Sequence, residues 1–236
     1  MPASIPNYRR IPDVTNLLPD TGDLPEPHTP VPFSGPWYRE RVQLSPDYPV
    51  CTARTTLRPL RASDSDDLLA YRSLREAVRY VPFEPMDRAS IERKLSSEWI
   101  RSTITAPGEG LTLGVELRET SHVIGDVMLH FASAEHRSGE IGWIFHPDYS
   151  GHGYATEAAH AILHLGFDQL GLHRISARID SRNDPSVRLA ERLGMRREAY
   201  LRQNEWFKGE WSDEIGVALL DDEWVAQHPE GVANCS

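Results

Sequence analysis

Cysteine is scarce: the 236 residues hold two, Cys51 and Cys235. Two thiols that far apart make neither a disulfide framework nor a metal cluster, and a reducing cytoplasm is the expected setting. Long apolar runs are missing as well. No stretch approaches 18 consecutive apolar residues, and the opening MPASIPNYRRIPDVTNLLPD lacks the apolar centre of a secretion signal, so neither a membrane span nor export is expected. Positive charge is in deficit, 25 lysines and arginines against 35 acidic residues, for a formal net charge of -10. Broad contact with a phosphate backbone needs clustered positive charge, which argues against a nucleic-acid partner. An acidic surface suits a cationic acceptor such as an amine, and also simply keeps a protein soluble. Internal repeats and low-complexity tracts are absent.

Proline is plentiful but uneven: eleven of the eighteen lie in the first 50 residues. Repeated prolines remove amide donors and turn the residues before them away from helix, so residues 1–52 read as an extended segment. Leu17, Val31, Phe33, Trp37 and Tyr38 give it apolar side chains that a loose tail would lack, which favours an arm packed on a folded domain. Apolar residues at 39% and charged residues at 25% describe an ordinary globular protein, with its core drawn from residues after about 52.

From Thr55 the pattern is that of alternating elements. TTLRPL reads as a strand, and Ser63 with Asp66 three residues on reads as the capped start of a helix reaching about Val78. Ile91, Leu95 and Trp99 at spacings of four predict a second helix, ending before Pro107. LTLGVELR, HVIGDVMLHF and EIGWIF read as three antiparallel strands. After the turn SGHG, Ala155, Ala158, Ala159, Ile162, Leu163 and Gly166 share one side of a helical period. HRISARID then reads as a strand, NDPSVRLAERLG as a short helix, and MRREAYLR and SDEIGVALL as two closing strands.

A glycine turn that opens a helix allows close backbone approach and positive φ, so successive amides can point at one anion, and the helix dipole adds about 0.3–1 kcal/mol for a charged group there. A phosphate or pyrophosphate is the expected ligand. A P-loop needs lysine and then serine or threonine after its last glycine, whereas Gly153 precedes Tyr154 and Ala155. A dinucleotide site gains some support from Asp180 at the end of the next strand. It loses more, because Thr156 replaces the third glycine, five residues separate the strand from Gly151, and the further strand and helix alternation is missing. The ligand that remains is the pyrophosphate of coenzyme A.

The string EIGWIFHPDYSGHGYATEA at 140–158 resembles motif A of the GNAT superfamily of N-acetyltransferases, whose pattern is Gln/Arg-X-X-Gly-X-Gly/Ala; Ser150, Gly153 and Ala155 stand at its three key positions. NDPSVRLAERLGMRREA resembles the Asn-X-X-Ser helix of the ribosomal-protein alanine acetyltransferase subgroup, and KGEWSDEIGVALLDDEW its last hairpin and terminal Glu-Trp. The likeness covers residues 54–225, leaving the amino-terminal extension and a tail, 226–236, outside. One departure is Ser150, which stands where the family usually has glutamine or arginine and so removes a phosphate-directed side chain.

The resemblance implies an α+β, three-layer α/β/α fold, with a mixed, mostly antiparallel central sheet splayed at a coenzyme-binding cleft. It also implies acetyl-coenzyme A as co-substrate, no metal, and an amine acceptor, either a protein α-amine or a small molecule. The protein would be a cytoplasmic monomer or homodimer, with no nucleic-acid or membrane partner. Backbone groups of Ile144, Phe145 and His146 would align the pantetheine arm, and Ser150, Gly151, His152, Gly153, Tyr154, Ala155 and Thr156 would hold the phosphates. Asn183 would hydrogen-bond the pantetheine or order water and Ser186 would donate to the departing thiolate, although Asn and Ser before a helix are also common caps. Tyr80, Phe83, Glu84, Trp206 and Trp211 would line the acceptor pocket, or serve the core or an interface.

Amines are mostly protonated at neutral pH, so a base or a water relay is expected. Glu140, on the same side of its strand as Gly142 and Ile144, is the candidate; the competing reading is a strand-end carboxylate paired with an arginine. His130 is a weaker alternative. His160 and His164 share the helix side opposite Ala155 and are expected to be solvated. A non-catalytic sensor of acyl-coenzyme A is the rival function, motivated by Ser150.

Overall fold

Strand-length runs with apolar residues at every second position form one eight-stranded sheet in a computed structural model of the protein, which describes residues 43–227. The strands are β1 (Val50–Cys51), β2 (Thr55–Pro59), β3 (Gly110–Leu117), β4 (Val123–Ser133), β5 (Ser138–Phe145), β6 (Arg174–Asp180), β7 (Arg196–Phe207) and β8 (Glu210–Leu220). They lie in the order β1-β2-β3-β4-β5-β6-β8-β7, antiparallel except between β5 and β6. Parallel neighbours need a crossover, which helix α3 (Tyr154–His164) supplies. Helices α1 (Ser65–Arg72) and α2 (Arg88–Leu95) cover one face; α3, α4 (Asp184–Arg192) and α5 (Asp221–Gln227) belong to the other. The sheet is open and mixed, as the resemblance implies.

The period of two, shifted in β4 by a bulge between Val123 and Gly125, sorts side chains between two cores. Leu111, Leu113, Val127, Leu129, Ile175 and Val217 pack with Ala158, Ala159 and Ile162 of α3. Val123 and Ile144 point the other way, against Leu68, Tyr71, Ile91 and Leu95. The second core also holds a charge. Arg72 Nη2 donates to Asp126 Oδ1 at 2.7 Å, Tyr71 Oη donates to Asp126 Oδ2 at 2.6 Å, and the guanidinium lies 4.4 Å from the centre of the Trp99 ring. Burial pulls the Arg72 pKa down, but the charges of Asp126 and Tyr71 and the hydrogen bonds to both together outweigh it and hold the guanidinium charged.

Three expectations need correction. Helix α1 stops at Arg72 rather than Val78, where that side chain is drawn to Asp126 and the Ser73 hydroxyl donates to Leu69 O at 2.6 Å. Its start shifts as well: Asp64, not Ser63 with Asp66, accepts from the Arg61 amide at 2.7 Å, while its carboxylate binds Arg58. Helix α2 ends at Leu95, yet Trp99 is still buried because its amide turns back to Lys94 O at 3.0 Å. His160 and His164 are covered rather than solvated. Helix α5, too short to show a period, sets the Trp224 ring 4.8 Å from His160, and His164 Nδ1 meets Asp168 Oδ2 at 2.6 Å.

The expected arm, residues 1–52, lies outside the described residues up to 42, Trp37 included. Its last ten residues are described and join the domain. Leu44 is buried and bridges to Ile104, Tyr48 Oη donates to Ser102 O at 2.9 Å, and β1 pairs with β2, so the sheet begins before Thr55.

Replacing Asp126 by alanine leaves Arg72 charged and unpaired in the second core, and the expected loss is about 3–5 kcal/mol. Urea unfolding measures it; a loss below about 1 kcal/mol would show that the pair carries little of the fold.

Candidate active site

Strands β5 and β6 part company. Their pairing runs from Ser138 opposite Arg174 to Glu140 opposite Ser176 and then stops. Beyond that point β5 stays with β4 as far as Phe145, while β6 stays with β8 as far as Asp180 opposite Glu214. A cavity of about 410 Å³ occupies the opening, lined by Gly142, Trp143, Ala177 and Ile179 from the parted strands and roofed by the segment between α1 and α2. The His146 amide donates to Ile124 O at 2.8 Å. Antiparallel ladders alternate, so Ile144 also turns its polar backbone to β4, and Trp143 and Phe145 present theirs to the gap. Of the expected trio Ile144, Phe145 and His146, only Phe145 therefore has its backbone free to meet a ligand there. Ile144 lines the cavity through a side chain buried in the second core.

The chain leaves β5 through one short turn, Pro147–Tyr149, and reaches α3 through two glycines in the left-handed region, Gly151 at φ 80° and Gly153 at φ 85°. Gly153 caps α3 with no side chain, so the amides of Tyr154, Ala155 and Thr156 lack intrahelical acceptors and remain for an anion. Nothing lies within 4 Å of where a Cβ on Gly151 would sit. Ser150 precedes the glycines, and His152 folds over the turn, its ring 5.8 Å from that of Tyr154 and its Nδ1 2.9 Å from Ser150 O.

Arg54 stands beside this turn. Its Nη1 donates to His152 O at 2.9 Å, its Nη2 meets Glu157 Oε2 at 2.9 Å, and its guanidinium lies 4.6 Å from the centre of the Tyr154 ring. Thr52 Oγ1 donates to Glu157 Oε1 at 2.5 Å. Burial alone would raise the Glu157 pKa, but the bonds from Thr52 and Arg54 outweigh it and hold the carboxyl below its usual range. Arg192, on α4, donates from Nε to Thr156 Oγ1 at 3.3 Å. Two guanidinium groups thus flank a turn whose own Ser150 brings no charge. An open glycine cradle, free amides and adjacent arginines fit the pyrophosphate of coenzyme A. Sequence inspection missed Arg54, a single arginine 96 residues before Ser150 with no motif around it.

On the other side of the gap Asn183 caps α4, its Oδ1 accepting from Ser186 N at 3.2 Å. The Ser186 hydroxyl accepts from Trp143 Nε1 at 3.1 Å, which leaves its own proton to donate. Both residues line the cavity, as do Tyr80 and Phe83. Glu140 also lines it, 33% exposed, with Arg178 Nε 3.4 Å from its Oε1, which is the arginine pairing of the competing reading. His130 faces Glu140 across the ladder but does not line the cavity, and neither do Glu84, Trp206 and Trp211. The two tryptophans are register partners near the end of the β7–β8 hairpin, 58% and 54% exposed, with ring centres 5.3 Å apart. It is Lys208 that reaches back from the hairpin turn, donating to Val78 O and Arg79 O at the cavity roof.

Glu214 was also missed. It lines the cavity at 5% exposure and its Oε1 has no hydrogen-bond partner among the described residues. In SDEIGVALL it alternates with apolar residues and so reads as a solvent-facing position. Among the described residues no group of three His, Cys, Asp or Glu is placed to hold a metal, and no helix is long and apolar enough to cross a membrane.

The family profile described as acetyltransferase (GNAT) domain matches residues 54–196. The chain is 33% identical over 178 residues to the uncharacterized N-acetyltransferase YnaD of Bacillus subtilis (strain 168), covering 74% of this chain and 98% of that protein. It is 28% identical over 128 residues to the spermidine N(1)-acetyltransferase of Escherichia coli (strain K12), covering 54% and 62%. The crystal structure of a GNAT-family acetyltransferase from Bacillus anthracis superposes with a TM-score of 0.66 at 30% identity, covering 74% of this chain and 99% of that one.

Alanine at Gly151 adds only the strain of a left-handed side chain, about 1–2 kcal/mol, whereas a Cβ at Gly153 also meets Arg54 Nη2 at 3.3 Å. Coenzyme A affinity, read by calorimetry, is expected to fall in both variants and further in Gly153→Ala. Wild-type affinity in both would separate this turn from coenzyme binding.

Proposed function

Because the chain belongs to the GNAT family of N-acetyltransferases, which use acetyl-coenzyme A, we propose that it acetylates a primary amine by direct attack with both substrates bound. The acceptor is the α-amine of a protein chain or a small amine, and the transferase unit spans residues 54–225. One observation carries this reading: the cavity passes through the gap between β5 and β6, with the glycine turn at the end of β5 and acidic residues on the neighbouring strands.

Acetyl-coenzyme A supplies the thioester whose acetyl group is transferred. The backbone of Trp143 and Phe145 orients it along the open edge of β5. Asn183, whose Oδ1 is used by the cap, offers its Nδ2 to the same arm. Ser186, held by Trp143, donates its hydroxyl proton toward the departing sulfur. Holding two substrates in one gap converts a bimolecular encounter into an effectively unimolecular step, which accounts for much of the acceleration such a site needs. The spermidine relative supports the small-amine half of the acceptor class.

Incubating the protein with acetyl-coenzyme A and a panel of diamines, polyamines and alanine- or serine-initial peptides, with detection of free thiol, tests the reading. Release above background with at least one class is expected; coenzyme binding without release across the whole panel would mean an acyl-coenzyme A sensor. Ser186→Ala is expected to lower kcat roughly 100-fold while coenzyme affinity stays within about threefold, the size of effect a general acid supplies.

A further inference from the structure

Glu214 sits on β8, opposite Asp180 of β6 and Leu201 of β7. Its neighbours Ile215 and Val217 belong to the first core, so the alternation of the strand turns Glu214, like Ser212, to the opposite face, where both line the cavity. A carboxyl at 5% exposure with Oε1 unpartnered among the described residues is an exception among buried polar groups and calls for a partner that those residues do not supply.

The charges around the cavity indicate the sign of that partner. Arg72 is closed on Asp126, Arg182 on Asp180 and Lys94 on Glu98. Asp213 is taken by Tyr200 Oη at 2.6 Å and the Gln203 amide at 2.8 Å. What remains is Glu140 on β5, Glu205 on β7 and Glu214 on β8 against the single guanidinium of Arg178 on β6. Three carboxylates facing one arginine leave room for positive charge, and an oxygen without a donor asks for an N–H. A substrate ammonium meets both demands.

We propose that Glu214, rather than Glu140, is the catalytic base: its Oε1 accepts a hydrogen bond from the acceptor's ammonium and takes its proton. The proposal rests on the N-acetyltransferase reading. The ammonium gives one proton to Glu214, and the freed nitrogen lone pair forms the C–N bond as the C–S bond breaks. A second proton leaves nitrogen, the thiolate takes up one, and one is released to solvent for each amide made. Glu140 is poorly suited to this task, being more exposed and already facing Arg178. Burial raises the Glu214 pKa above the ordinary carboxyl value; the charges of Glu205 and Glu140 add to it, while the charge of Arg178 and a hydrogen bond from the Asn204 side chain to the carboxyl oppose it. A raised pKa makes the carboxylate a stronger base and moves its loss of function, by protonation, to a higher pH than that of an ordinary carboxyl.

The test uses the full chain and Glu214→Gln, with spermidine, a diamine and an alanine-initial peptide as probes. At pH 7 the variant is expected to lose about 100-fold in kcat/KM for the amine while KM for acetyl-coenzyme A stays within threefold. The acid limb of the wild-type pH profile should disappear with it. A folded-state pKa above the unfolded one means that the ionised group opposes folding at pH 7. Glu214→Gln should therefore melt at the same temperature or higher, and this advantage should shrink as the pH falls through the raised pKa. A purely structural acid would show the reverse, a lower melting temperature.

Calorimetry of spermidine binding without acetyl-coenzyme A reads the ammonium site independently of turnover. If the wild type binds the amine and Glu214→Gln does not, but neither releases thiol, the transferase reading fails and the ammonium site stands. Wild-type kcat/KM and amine affinity in Glu214→Gln, or a larger loss in Glu140→Gln than in Glu214→Gln, overturns the proposal.

Discussion

Everything functional in this molecule depends on two parallel strands that stop pairing after three residues. Strand β5 follows β4, strand β6 follows β8, and each satisfies its hydrogen bonds on that outer side. The inner edges then open without leaving β5 and β6 unsupported in the sheet. The gap exposes backbone polar groups of Trp143 and Phe145 that a continuous sheet would consume, and those groups need partners of their own. Helix α3 and the glycine turn follow from the same constraint. A parallel crossover must return over the sheet, and its start falls where β5 ends.

Among the described residues, the polar interior holds charges that are closed and one, Glu214, that is not. Arg72 with Asp126 and Tyr71, and Arg58 with Asp64 and Glu116, bury charge but answer every charge with a partner, and they fasten α1 to the sheet. Glu157 is answered by Thr52 and Arg54, which ties the chain before β2 to the head of α3. Glu214 stands apart because one of its oxygens has no hydrogen-bond partner among the described residues. Closed groups of this kind position the turn and the roof; an open one is available to a ligand.

The elements with long periods were legible in the sequence. The β3–β4–β5 meander, α3 and the β7–β8 hairpin fall where alternation and the helical stripe put them, within a few residues. Short elements were not legible. Helix α5 and strand β1 are too brief to establish a period, and α1 ends early because of a partner, Asp126, that lies 54 residues away. Around the gap, the positions of the glycine turn before α3 and of Asn183 and Ser186 at the head of α4 were legible because their spacing is local. Arg54 and Glu214 were not, since neither belongs to a motif. The tryptophans of the last hairpin were expected as pocket walls from the family resemblance, yet the strand register directs them to the surface.

By itself the sequence determined the class of sheet, the place of the glycine turn before α3 and the family that such a turn belongs to. These follow from local spacing, because φ at a glycine and the alternation of a strand are properties of a few consecutive residues. Which carboxyl is paired and which is left open was decided only by the tertiary structure. Glu140 and Glu214 are alike as residues; Arg178 pairs with one, and burial on β8 leaves the other with an oxygen that has no hydrogen-bond partner among the described residues. Charge and desolvation act between segments brought together by folding, and nothing in the linear order of residues carries that information.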